Sequence, residues 1–169
     1  MTVQEAFWTL YFTAYQGIDK LPMQEQEGAY GPWMFLDSIR TDESYESPIW
    51  GAGSRHPFVV AWAEIDLKLD KGDGDERSLE NARLWDETYE QARPFMAVEK
   101  TVTEAYKAGR WMLEFYESQF GFTLGDFDVI LPFDLWEKWA EKIMDIPVSN
   151  FRDWKFLKEF QEKIVKEEA

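Results

Sequence analysis

Residues 58–70 read FVVAWAEIDLKLD, and the way in which this stretch folds decides the fold class of the chain. Every second side chain along it is apolar: Val59, Ala61, Ala63, Ile65, Leu67 and Leu69. Alternation with a period of two is typical of a β-strand with one buried face. The opposite face is apolar through Trp62 and polar from Glu64 onward. The pattern therefore predicts a strand that begins in the core and ends at the surface.

The segment just before this strand, GAGSRHP at 51–57, contains the only histidine of the chain, His56. Two glycines followed by an arginine suggest a phosphate-binding loop, but such a loop follows a strand and opens a helix. This loop instead precedes the predicted strand. Ser54 and His56 also lack the G-x-S-x-G pattern of a serine hydrolase. We interpret His56 as a residue that caps the loop, and Pro57 as the residue that fixes the start of the strand.

The segment just after the strand, DKGDGDE at 70–76, is rich in carboxylates and glycine. It does not place acidic ligands at the spacing of an EF-hand loop, so we interpret it as a solvated turn. One histidine and no cysteine exclude the common zinc and iron–sulfur ligand sets. We expect no metal and no cofactor.

The remainder of the chain is mostly helical in pattern. Thr2 and Glu5 form a capping box that opens a predicted helix over 2–16. Helical spacing of apolar residues recurs in four further segments downstream of Ser78, and DFDVILPF at 126–133 predicts a second strand. The fold class that follows is α+β and helix-rich, with about five helices packed on a small, mainly antiparallel sheet of three to four strands. At 169 residues we expect a single globular domain over 1–169.

The composition limits the classes of partner. The chain has 33 acidic and 18 basic side chains, for a net charge of −15, and it is tryptophan-rich with nine tryptophans. Direct binding to nucleic acid and to anionic membranes is disfavoured, because both depend on lysine and arginine. The N-terminal stretch lacks the pattern of a signal peptide, and the longest apolar run, 58–63, is too short to span a bilayer. We expect a soluble, cytoplasmic protein.

The negative charge is concentrated in the middle of the chain. Residues 64–90 contain ten acids and four bases, whereas residues 150–169 contain five of each. We predict that this stretch and the acidic segment TDESYES at 41–47 form a face for a basic protein partner, with two tyrosines as anchors. The candidate partner-binding residues are Asp42, Glu43, Tyr45, Glu46, Asp70, Asp73, Asp75, Glu76, Asp86, Glu87, Tyr89 and Glu90.

An acidic face of this kind favours a non-enzymatic role. The function we expect is inhibition of a cationic protein, including one that handles nucleic acid, by an immunity protein or a nucleic-acid mimic that counters a defence system. Two alternatives stay open. One is a small enzyme or ligand-binding domain with a Trp/Tyr-lined pocket and Asp or Glu as acid and base. The other is an accessory subunit that docks through the apolar first helix. The partner and the oligomeric state do not follow from the sequence.

Overall fold

The computed structural model describes residues 1–28, 30–44, 56–67 and 87–168. Its first four helices are α1 (Val3–Asp19), α2 (Met23–Gln26), α3 (Pro32–Ser44) and α4 (Pro57–Leu67). The helical residues 87–92, here α5, continue into a 3-10 turn at Arg93–Ala97. The last four helices are α6 (Val102–Phe120), α7 (Phe127–Ile130), α8 (Phe133–Ile143) and α9 (Trp154–Glu168), with a 3-10 turn at Val148–Arg152. No described residue lies in a β-strand, so the predicted α+β fold with a three- to four-stranded sheet is wrong.

The predicted strand at 58–70 is the source of that error. Its described part, up to Leu67, is helix α4, and residues 68–70 lie outside the described ranges. All seven residues from Pro57 to Ala63 are buried, because α1, α6 and the 3-10 turn at Arg93–Ala97 pack around the helix. A helix buried on every side shows no amphipathic period, and its sequence then resembles that of a buried strand. Pro57 stands at the first helical position, where proline is favoured.

The second predicted strand, at 126–133, is also helical. Its central part forms the single turn of α7, which Asp126 caps by accepting a hydrogen bond from the Asp128 amide. Its last residue, Phe133, begins α8. Pro132 between them lacks an N–H and could not have joined a sheet ladder from an inner strand. In the apolar run at 129–131, Ile130 and Leu131 are buried and Val129 is partly buried, and α7 packs on α1.

Helix α1 is the central element of the core. The capping box predicted at Thr2 and Glu5 is confirmed: the Glu5 amide donates to Thr2 Oγ1 at 3.2 Å, and the Thr2 amide donates to Glu5 Oε1 at 2.7 Å. Twelve of the helix's 17 residues are buried, so its apolar rows are covered by the chain itself. The helix packs on α3, α4, α6, α7 and α8. Of its large apolar side chains only Tyr15 is exposed, so α1 offers little apolar surface for the predicted accessory-subunit dock.

The backbones of α1 and α7 approach each other closely at Gly17. A Cβ atom placed on Gly17 would lie 2.1 Å from the carbonyl oxygen of Ile130, so only glycine fits there. Both ends of α4 are also held by polar contacts, through His56 at its start and through Asp66, which pairs with Lys100, near its end. None of the described helices combines the length and the apolar character needed to cross a bilayer.

Candidate functional site

The structure describes five of the twelve predicted partner-binding residues. Asp42 and Glu43 belong to the last turn of α3, and Glu87, Tyr89 and Glu90 belong to α5. Glu87 and Glu90 are exposed, and Glu90 lies 3.6 Å from Arg93. Tyr89 is buried, so its ring does not offer the exposed anchor that the prediction assigned to it. The other seven predicted residues lie outside the described ranges: Tyr45, Glu46, Asp70, Asp73, Asp75, Glu76 and Asp86.

His56 has a structural role. The Phe58 amide donates to its Nδ1 at 3.0 Å, so Nδ1 carries no proton and Nε2 does. Nε2 lies 3.2 Å from the Ile39 carbonyl oxygen, to which it donates. The ring is buried edge-on against Phe7, and this burial lowers the pKa of His56 to about 4. The side chain therefore caps the first turn of α4 as a neutral imidazole, rather than capping a loop before a strand.

A different acidic surface emerges from the described residues, around the turn between α1 and α3. We call it the acidic cleft; it has a volume of about 320 Å³. Its lining residues come from two segments: Gln24, Glu25, Glu27, Gly28, Tyr30 and Gly31 from the turn, and Thr123 and Gly125 from the loop after α6. The Thr123 amide donates to the Tyr30 carbonyl at 2.8 Å and joins the two segments.

Buried polar contacts fix the shape of this turn. The side-chain Nε2 of Gln26 donates to the Leu21 carbonyl at 2.7 Å, and its Oε1 accepts from the indole N–H of Trp33 at 3.2 Å. Gly28 and Gly125 have φ angles of 145° and 96°, which only glycine adopts without strain. On the other segment, Glu117 Oε2 accepts from the Leu124 amide at 3.1 Å. The cleft is therefore preformed by the backbone and does not depend on the carboxylates at its rim.

Both charged residues that line the acidic cleft, Glu25 and Glu27, are acidic. Residues 21–39 contain three acids, and residues 111–137 contain six, with no lysine or arginine in either stretch. Glu25 and Glu27 are exposed at the cleft and form no ion pair with any described residue. Unpaired, solvated carboxylates at a concave surface attract cationic side chains and steer their approach.

A series of ring contacts leads from Tyr30 at the acidic cleft, through two buried rings, to Phe120. The ring of Tyr30 lies 5.8 Å from that of Phe122, which lies 5.5 Å from Tyr116 and so connects to Phe120 at 4.9 Å. The inner two rings are buried, whereas Tyr30 is 65% exposed and Phe120 is 46% exposed. The core thus holds two exposed rings in fixed positions. Rigid exposed aromatic rings of this kind are the usual anchors of protein interfaces.

The two carboxylates of the acidic cleft, Glu25 and Glu27, are both exposed to solvent. Among the described residues there is also no group of three or more histidine or carboxylate side chains placed to hold a metal ion.

Charge counting over shorter windows would have found part of this site. The two base-free stretches are visible in the sequence, but nothing in it shows that they meet through Tyr30 and Thr123. No protein-family model, no curated protein and no solved structure matches the chain.

Proposed function

We propose that this chain is a non-enzymatic acidic protein that binds and inhibits a basic protein partner. The observation that carries the proposal is the acidic cleft, where unpaired carboxylates lie beside an exposed, core-anchored tyrosine. Glu25 and Glu27 pair with lysine or arginine side chains of the partner, and Tyr30 packs against its surface. The net charge of −15 accelerates the encounter with such a partner and disfavours direct contact with nucleic acid.

The kind of partner follows from this charge pattern. A basic groove that normally holds a polyanion offers several cationic side chains within one contact area, which suits a rigid acidic surface better than a single lysine does. An immunity protein against a cationic nuclease toxin and a nucleic-acid mimic that counters a defence system both use such a surface. Both roles place the protein in the cytoplasm, and this location is part of the proposal.

The exposed acids Glu87 and Glu90 extend the proposal to the middle of the chain. The predicted acidic face there shares no residue with the acidic cleft. Charge reversal separates the two surfaces: Glu25→Lys with Glu27→Lys tests the cleft, and Asp73→Lys, Asp75→Lys, Asp86→Lys and Glu90→Lys test the central face. The surface whose reversal abolishes binding is the one the partner contacts.

The test begins with affinity purification of a basic partner from the source cells and continues with the purified pair. We expect the Kd to rise steeply with salt, because exposed charges are screened within about 10 Å at 0.1 M ionic strength. Replacing Glu25 and Glu27 by glutamine should weaken binding at least tenfold, from about 1.4 kcal/mol or more of lost pairing. Tyr30→Ala should cost about 2 kcal/mol as a central anchor.

The matched control changes the net charge equally at another place. Glu159→Gln with Glu162→Gln removes two exposed carboxylates from α9, outside the acidic cleft. This variant should bind within about twofold of the parent, because surface charges away from an interface act only through the screened long-range field. Two outcomes would contradict the assignment of the acidic cleft: a Kd that does not change with salt, or an equal rise of the Kd in both double variants.

A further inference from the structure

A second cleft, between α1, α3 and α9, differs in character from the acidic cleft and shares no lining residue with it. We call it the aromatic cleft; its volume is about 330 Å³, which lies in the range of small-molecule sites. Its lining residues are Tyr11, Tyr15, Trp33, Leu36, Asp37, Arg40, Trp154, Lys158 and Gln161. Four of the nine are aromatic and two are basic, in a chain whose net charge is −15.

The aromatic walls of this cleft are held in place by the core. Trp154 stacks on the buried ring of Trp8 at 6.0 Å and meets Tyr11 edge-on at 5.7 Å. Tyr15 meets Trp33 edge-on at 5.1 Å, and the Trp33 indole is fixed by its hydrogen bond to Gln26. Rings fixed in this way offer flat surfaces to a ligand, without the loss of side-chain freedom that weakens binding to mobile residues.

The charged groups of the aromatic cleft favour an anion. The guanidinium of Arg40 lies 4.7 Å from the centre of the Trp154 ring, and its Nη2 is 3.0 Å from Asp37 Oδ1. These contacts orient the planar group but leave further N–H donors for a bidentate oxyanion. Lys158 supplies a second positive charge. Among the described lining residues Asp37 is the only carboxylate, so these residues together carry an excess of one positive charge.

The remaining polar groups of the cleft include the side-chain amide of Gln161 and the hydroxyl of Tyr11. Gln161 is 8% exposed, and its Nε2 is buried without a hydrogen-bond partner in the described part of the chain. Burial also raises the pKa of Tyr11 to about 12, so this hydroxyl keeps its proton at neutral pH.

From this arrangement we infer that the aromatic cleft binds a flat organic anion, namely an aromatic or heteroaromatic carboxylate. The ring of the ligand lies against the Tyr15–Trp33 wall, and its carboxylate faces Arg40 and Lys158. A neutral sugar would leave the excess positive charge of the cleft without a counter-charge. A long polyanion would be repelled by the rest of the molecule. This site is separate from the proposed inhibitor surface, and each can fail without the other.

The test uses naphthalene-2-carboxylate as the probe and naphthalene-2-carboxamide as its neutral isostere. Binding to the full chain is followed by isothermal titration calorimetry and by the fluorescence of tryptophan. We expect the carboxylate to bind at least about tenfold more tightly than the carboxamide, since charge-assisted hydrogen bonds are the stronger class. Arg40→Gln should abolish this preference, and thermal unfolding of that variant shows whether it remains folded.

Two lysines of α9 provide a matched pair that leaves the fold intact. Lys158 lines the aromatic cleft and Lys155 does not, although both are exposed on the same helix. Lys158→Gln should weaken binding of the carboxylate about threefold or more, whereas Lys155→Gln should leave it unchanged. Equal affinity for carboxylate and carboxamide, equal effects of the two lysine variants, or no binding at millimolar probe would each overturn the inference.

Discussion

Helices α4 and α9 differ in burial, and they are stabilised in different ways. From Pro57 to Ala63, α4 is buried on every side, and it is held at its start by His56 and near its end by Lys100. Helix α9 instead buries one stripe, while charged residues occupy its outer face. The rings of Trp154 and Phe160 attach that stripe to α1. The comparison indicates that α4 belongs to the core, whereas α9 covers one side of it.

The largest difference should appear when a tryptophan is removed from each helix. Trp62 on α4 is buried, and its indole donates to the Val98 carbonyl at 2.9 Å. We expect Trp62→Ala to lower the free energy of unfolding by about 4 kcal/mol, from lost burial and a cavity. Trp154 on α9 is half-buried, and Trp154→Ala should cost about 2 kcal/mol. Urea denaturation measures both, and equal costs would contradict the distinction between the two helices.

Acid should destabilise the start of α4 through its one histidine. The unfolded pKa of histidine is about 6.5, and the folded pKa of His56 is about 4. Between these values the unfolded chain binds a proton that the native chain does not. The stabilisation is therefore complete above pH 6.5 and is lost as pH falls towards 4, by up to about 3 kcal/mol.

The control for this prediction is His56→Gln, since the chain has no other histidine. Carboxylates titrate in the same range in both proteins, so their contribution cancels in the difference. The free energy of unfolding should fall more steeply between pH 6.5 and 5 in the parent than in the variant. If the free energies of unfolding of the parent and the variant fell in parallel with pH, burial would not disfavour protonation of His56 in the native chain.

The two helices also differ in how far the sequence predicts them. The last helix could be predicted because its buried residues recur at helical spacing, and the capping box at Thr2 gave α1 its correct start. Thr101 and Glu104 have the same T-x-x-E spacing, and the structure shows that they form a capping box at the start of α6. A helix surrounded by the core, such as α4, has no polar face to reveal its period. Long-range contacts, not local pattern, decided its conformation.

The candidate site was predictable to a smaller extent. An excess of acid could be counted, and a Trp/Tyr-lined cleft was among the alternatives, but the residues that form each cleft come from distant segments. Tyr30 and Thr123 both line the acidic cleft, and Tyr11 and Lys158 both line the aromatic cleft. The local sequence pattern predicts neither of these arrangements. Tyr89 was predicted as an exposed anchor because acidic residues flank it in the sequence, but its side chain is buried.

The polar contact near the end of α4 should respond unequally to removal of its two partners. Lys100 Nζ lies 2.5 Å from Asp66 Oδ2, and the side chains are 2% and 38% exposed, respectively. Asp66→Asn leaves a buried ammonium without a counter-charge and should lower the free energy of unfolding by about 2 kcal/mol. This loss is smaller than that expected when one partner of a fully buried ion pair is removed. Lys100→Met leaves a carboxylate that water can solvate and should cost about 1 kcal/mol or less. Thermal and urea unfolding at neutral pH compare the two, and the reverse order would contradict a buried Lys100.

The smallest effects come from a matched pair of valines, one on each helix. Val59 on α4 is 1% exposed and Val165 on α9 is 39% exposed. Val59→Ala removes the equivalent of two buried methylene groups, so the free energy of unfolding should fall by about 1.5 kcal/mol. At Val165 the same change removes little burial and gains helix propensity, so the net effect should lie within about 0.5 kcal/mol of zero. Urea denaturation of the two variants beside the parent gives the difference directly. Because the chemical change is identical, a similar loss at both positions would show that α9 is as deeply part of the core as α4.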